Sequence, residues 1–180
     1  VKVSLIKDIS FFTWLESTAD AMNQRDKSVM IEQIYRCASL HMQHIASGDP
    51  FELGSARPLD FGHWAAHKLE YLSDFKIRHG EAVAIGIALD SVYSHLMGYL
   101  TKEEVDRVID LLQKLGFAIF HPALAENDKI NLTNGLNEFR EHLGGQLTIT
   151  LLEQVGKGVE VHEMDFDLIK KSVDYLEQIA

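Results

Sequence analysis

A chain of 180 residues that is 46% hydrophobic can bury one sizeable core, and its net charge of −10 argues against nonspecific binding to nucleic acid or an anionic membrane. Its one cysteine, Cys37, excludes an internal disulfide and reads as a small buried hydrophobe. No signal peptide or bilayer-length apolar run is visible, so a cytoplasmic setting is the default expectation.

In chain order, Asp8-Ile9-Ser10 stands as a helix start before FFTWLESTADAM. Arg25 to Ser47 reads as a long amphipathic helix with Met30, Ile31, Ile34, Leu40 and Ile45 as its apolar positions. Gly48, Pro50, Gly54 and Pro58 break that pattern, predicting a loop that leads into a histidine-bearing helix. A further helix is expected from about Glu81 to Leu100. The next, TKEEVDRVIDLLQKLG, has Thr101 and Glu104 as a capping box and Gly116 as its stop. Leu147 to Leu152 alternates like a strand, Gly156 to Val161 reads as its hairpin partner, and a last helix runs from about Asp165 to Gln178. Without repeat, linker or low-complexity segment, the pattern predicts one mainly α domain over residues 1–180, an orthogonal multi-helix bundle with a small β-hairpin. No Gly-rich turn joins a strand to a helix in the dinucleotide-binding manner.

Three histidines carry the chemistry. His63 and His67 are four apart and share one helix face, while His79 opens the small, apolar run HGEAVAIGIAL. Two helices could therefore aim imidazoles at one point. Neutral imidazole is a common zinc ligand, and catalytic zinc sites use three protein ligands and an open position. Spacing alone makes His63 and His67 the chelating pair and leaves satisfied surface or core histidines as the plainer reading.

LDFGHWAAHKLE followed by IRHGEAVAIGIALD resembles the C-terminal domain of 3-dehydroquinate synthase and its sugar-phosphate cyclase relatives, with the pattern GH-x-x-x-H and then HGEAVA-x-G. The likeness runs from VKVSLIKDISFFTWLE to LGGQLTITLLEQVGKG. It implies that His63 and His79 are metal ligands and that His67 is an acid/base or phosphate-side residue. The third ligand, a glutamate, aligns two residues before Val1. Lys2 and Glu52 fall on active-site positions of the family. The ion would be zinc, with cobalt as the alternative. NAD would bind an N-terminal domain absent from this chain, and the full-length protein would be a homodimer. The implied reaction, on a sugar phosphate, is transient oxidation of a hydroxyl by NAD, phosphate elimination, return of the hydride and aldol closure of a carbocycle. Glu81 could orient a ligand, although a first-turn glutamate is the simpler reading.

Departures gather where the family holds its substrate. Ala56 stands at an arginine position with Arg57 beside it, Asp60 replaces an asparagine, His41 stands for a lysine, and Phe139-Arg140-Glu141 replaces Asp-Lys-Lys. Arg140 and His142 are candidate phosphate contacts. Asp60 disfavours a carboxylate-bearing substrate, which points towards sedoheptulose 7-phosphate in place of the heptulosonate. An iron-containing alcohol or glycerol dehydrogenase and a nonenzymatic metal-binding module are the rival readings. His44 could join His41 in an accessory site, whereas His95, His121 and His162 show no partner pattern.

Overall fold

Asp8 ends one helix and starts the next. Its extended backbone closes α1 (Lys2–Lys7), and its carboxylate accepts from the Phe11 amide at 2.9 Å to cap α2 (Ile9–Asn23). The structure, a computed structural model, describes residues 1–46, 60–142 and 145–180, apart from the side chains of Ile45, Asp128 and His142.

The long amphipathic segment forms α3 (Lys27–Ala46), and of its expected apolar positions with described side chains only Leu40 faces inward. Ile31 and Ile34 are 57% and 62% exposed, Met30 is also exposed, and Ile45 lies outside the described side chains. The inner seam consists of half-buried Val29, Cys37 and Leu40, with the Arg36 guanidinium 4.7 Å from the Trp14 ring centroid. This stripe is narrow because α3 packs chiefly on α1 and α2, at the outside of the bundle.

The histidine helix is α4 (His63–Leu72), and the loop expected before it falls mostly outside the described residues. α5 (His79–Leu96) begins two residues earlier than expected. Glu81 accepts from the Arg78 amide at 3.0 Å, which sets the boundary at Arg78 and places His79 in the first turn. It stops before Leu100 because the chain turns at Gly98, with φ of 83°.

α6 (Lys102–Lys114) has the expected reciprocal cap: Thr101 Oγ1 accepts from the Glu104 amide and the Glu104 carboxylate from the Thr101 amide. Two 3-10 turns, Pro122–Leu124 and Glu126–Lys129, lead to α7 (Ile130–His142), which periodicity did not mark. β1 (Ile149–Gln154) pairs antiparallel with β2 (Lys157–Val161), Ile149 facing Val161. The hairpin is the expected one, with β1 starting two residues late. α8 (Phe166–Ile179) is capped by Asp165.

α5 is the centre of the bundle, and from Ala82 to Ser94 every residue except Val83 is buried. A helix apolar on all sides must be surrounded, and α4, α6, α8 and β1 cover it. Its polar groups are used as ties: Tyr93 Oη accepts from the Asp165 amide at 2.8 Å, and Ser94 Oγ from the Leu152 amide at 3.2 Å. Each fully buried side chain, such as Leu89 or Val92, stabilises the fold by about 1.5–3 kcal/mol. No described helix is long and apolar enough to cross a membrane.

Candidate metal and catalytic site

The site begins with two backbones in contact. Gly62, with φ of 77°, precedes α4 and rests on the middle of α5 at Gly86. A Cβ on Gly86 would stand 2.0 Å from the Gly62 oxygen, and one on Gly62 would stand 2.7 Å from the Ile87 nitrogen. Only glycine permits both approaches. Asp90, fully buried one turn along α5, clamps the junction: its Oδ2 accepts from the Gly62 amide at 3.0 Å and its Oδ1 from the Trp64 indole at 2.8 Å. The residues on both sides of His63 are thereby fixed. Burial pushes the Asp90 carboxyl up to about 7, against the opposing pull of the two hydrogen bonds.

This junction brings the three imidazoles together. Ring centroids lie 5.8 Å apart for His63 and His67, 5.4 Å for His63 and His79, and 5.7 Å for His67 and His79. His63 Nδ1 is 3.1 Å from the Phe61 carbonyl. A carbonyl only accepts, so Nδ1 carries the hydrogen and Nε2 offers its lone pair. That Nε2 is 3.4 Å from Lys2 Nζ. Burial first, and then the Lys2 charge, lower the His63 pKa and favour the neutral imidazole that a metal requires. Asp60, half-buried, acts on His63 in the opposite direction.

Glu70 was not picked out from the sequence. Its Oε2 is 3.2 Å from Nδ1 of His67 and 3.2 Å from Nδ1 of His79. Its position three after His67 was the available signal, but the reach to His79 depends on how α4 meets α5. Asp90 was also missed; its signal is that it alone among residues 82–94 carries a charged side chain. On the far side of α4, Lys68 Nζ bonds Glu138 of α7 at 2.8 Å, with Gly135 against the Lys68 stem.

Among the described residues one group of three has the spacing to hold a divalent ion, and a pair that shares His79 with it is also close. In His67, Glu70 and His79, ligand atoms lie within 4.8 Å of one another. In the pair, His63 and His79 each present Nε2, their Nδ1 atoms facing an acceptor. The second arrangement is the usual one for metal-bound histidine, whose other nitrogen donates to a carbonyl or carboxylate. Mixed imidazole and carboxylate donors suit zinc and its first-row neighbours.

Lys2 is thus at the histidine cluster, and Lys2 and Gly80 also line a largely apolar cavity of about 340 Å³ with Leu15, Ala84 and Leu112. Glu52, Ala56 and Arg57 lie outside the described residues. Arg140 is exposed and lines a separate cleft of about 490 Å³ with Asn137, Gln146 and His162, a cleft that none of the three clustered histidines lines. His142 ends α7 and its side chain is not described. Glu81 serves as the α5 cap.

The model of the family 3-dehydroquinate synthase C-terminal matches residues 1–136. A 3-dehydroquinate synthase of Acinetobacter baumannii (strain AYE) is 30% identical over 174 residues, 96% of this chain and 47% of that protein. One from Nitrosococcus oceani is 33% identical over 175 residues, 97% of this chain and 48% of its own length. The chain therefore spans about half the length of the curated relatives it matches. Among solved structures, the 2-epi-5-epi-valiolone synthase ValA from Streptomyces hygroscopicus subsp. jinggangensis 5008, with NAD+ and Zn2+ bound, superposes with a TM-score of 0.91 at 27% identity, covering 99% of this chain and 49% of that one. A 2-deoxy-scyllo-inosose synthase gives 0.58 at 26% identity, covering 79% and 38%.

Proposed function

We propose the function from one premise: the chain belongs to the 3-dehydroquinate synthase C-terminal family. It is the helical, metal- and substrate-holding part of a sugar-phosphate cyclase, acting in a longer polypeptide whose N-terminal domain binds NAD. The observation that carries this reading is the convergence of His63, His67 and His79 on one point, with Lys2 against His63 Nε2. His63 and His79 hold the ion through Nε2, together with a glutamate aligned two residues before Val1. When bound, the ion supplies Lewis acidity towards a substrate oxygen and NAD supplies the hydride acceptor.

The remaining work falls to residues of this chain. Lys2 neutralises negative charge at the substrate, and His67, outside the ligand pair, takes or gives a proton. Glu52 and Arg57 complete the substrate side, and Arg140 with His142 contacts phosphate. The substrate is a phosphorylated seven-carbon sugar, and Asp60 beside His63 favours sedoheptulose 7-phosphate over the carboxylate-bearing heptulosonate. The similarity to a 2-epi-5-epi-valiolone synthase supports a cyclase in this broad class.

Metal occupancy and phosphate release in the longer polypeptide test the reading. His63→Ala and His79→Ala should lose the ion, since removing one donor from a three-ligand site leaves too few. His67→Ala should keep the ion and lose about 10²–10⁴-fold in turnover. Full occupancy in both ligand variants would sink the assignment. Hydride transfer without phosphate release would point instead to a dehydrogenase. Preference for the heptulosonate, with Asp60→Asn giving no gain, would defeat the electrostatic argument.

A further inference from the structure

Glu70 has no role in the reading above, although two of the three histidines meet it. Its side chain is only 16% exposed, whereas those of His67 and His79 are 57% and 53% exposed, so the imidazoles are pinned from their inner side. His67 is on α4 with Glu70, and His79 opens α5. One carboxylate therefore spans the two helices. We propose that Glu70 is a positioning residue that sets the tautomers of His67 and His79 together, turning the bare Nε2 of His79 to the ion and that of His67 to the substrate side.

A carboxylate is an acceptor only, and both nearest nitrogens are Nδ1. Each neutral ring must then bring its hydrogen on Nδ1 and keep its lone pair on Nε2. His63 reaches the same state by another route, through the Phe61 carbonyl. The three rings thus point three bare Nε2 atoms away from their supports. A neutral imidazole free in water favours the opposite, Nε2–H form, so Glu70 has a preference to overcome. In the alternative, with Glu70 itself a ligand beside His67 and His79, the rings would turn an Nδ1 lone pair to the ion and carry their hydrogens on Nε2.

This inference rests on the proposed metal site, and the test separates the two. Long-range ¹⁵N–¹H spectra of the ion-free protein report each tautomer, and titration of the longer polypeptide with Co2+ alone reports affinity. Wild type should show Nδ1–H at both His67 and His79. Glu70→Met, similar in length but without a strong acceptor, should release His79 to the Nε2–H form and weaken Co2+ binding by about 10- to 100-fold. Glu70→Gln keeps an acceptor oxygen, so it should retain both tautomers and lose Co2+ affinity less than about tenfold. That variant and the wild-type spectrum suffice should Glu70→Met fail to fold. A wild-type His79 in the Nε2–H form, or Co2+ affinity unchanged in Glu70→Gln and in a folded Glu70→Met, overturns the role given to Glu70. So does loss of all Co2+ binding in Glu70→Gln while His63→Ala retains it, which would make Glu70 a ligand. Failure of the longer polypeptide, which supplies the third ligand, to bind Co2+, with both tautomers as expected, counts against the proposed metal site and leaves the tautomer assignment standing.

Discussion

Asp90 brings an ionisable group into the most apolar helix of the molecule, and pH reads out which of two forces governs it. Burial holds its folded pKa at about 7, above the ordinary 3.8. Between those values the folded state keeps a proton that the unfolded state has lost, so this residue's contribution to stability falls as pH rises from about 4 to about 7. The slope is at most about 1.4 kcal/mol per pH unit. His63 has the opposite sign. Its pKa is lowered on folding, so its protonation below about 6.5 favours the unfolded chain and stability rises with pH there. Asp90→Asn isolates the first effect. Asparagine offers one acceptor to the Gly62 amide and Trp64 indole and leaves the other donor facing an NH₂, at a cost of about 1–3 kcal/mol. Urea unfolding should show wild type ahead at pH 5 and the gap closing by pH 8. A gap that stays constant from pH 5 to pH 8 instead would mean that the two hydrogen bonds outweigh burial and keep the carboxylate ionised in the folded state.

Helix α4 meets α5 at two glycines whose contact leaves no slack, and this sets the distance between His63 and His79. Gly86→Ala would push a methyl against the Gly62 carbonyl, backbone against backbone, so the helices must part. The expected loss is about 1–3 kcal/mol or more. Gly80→Ala is the contrast, since nothing lies within 4 Å of the added Cβ. Glycine within a helix costs about 0.5–1 kcal/mol relative to alanine, so that variant should be neutral or gain stability. Urea midpoints for the pair decide whether the Gly62–Gly86 contact is tight in solution; equal midpoints would show that it is not. The same junction separates what was legible in the sequence from what was not. The Thr101–Glu104 cap, the start of the last helix near Asp165 and the hairpin were readable because their partners are a few residues apart. The histidine spacing was equally local. Gly62 against Gly86, Asp90 beneath Trp64 and Glu70 reaching His79 are contacts between helices, and no period within one helix reveals them. For α3, periodicity identified a shared apolar face but could not say whether another element covers it, and Ile31 and Ile34 remain exposed.

Across the whole molecule, burial is uneven enough to predict the order in which it opens. α5 is covered by α4, α6, α8 and β1, and its amides from about Ala88 to Ser94 lie in the middle of the core. They should exchange with solvent only when the entire chain unfolds. α3 is at the other extreme: no described residue in it is fully buried, and its seam is Val29, Cys37, Leu40 and Arg36 stacked on Trp14. A helix held by partial burial and by Arg36 over the Trp14 and Phe11 rings, a cation–π contact contributing about 0.5–2 kcal/mol, has less to lose on detaching than one in the core. α3 should therefore open as a unit at a free energy below the global value, with α2 and α5 still folded. Native-state hydrogen exchange in low urea distinguishes the outcomes. The expected pattern is a shared, lower opening free energy across α3 amides from about Ile31 to Leu40, and convergence of α5 amides on the global free energy. Arg36→Ala should lower the α3 value by about 0.5–2 kcal/mol and leave the difference between α5 opening and global unfolding unchanged. Protection of α3 equal to that of α5, in wild type and in Arg36→Ala alike, would show that α3 unfolds only with the core and that its exposed apolar face costs it no independence.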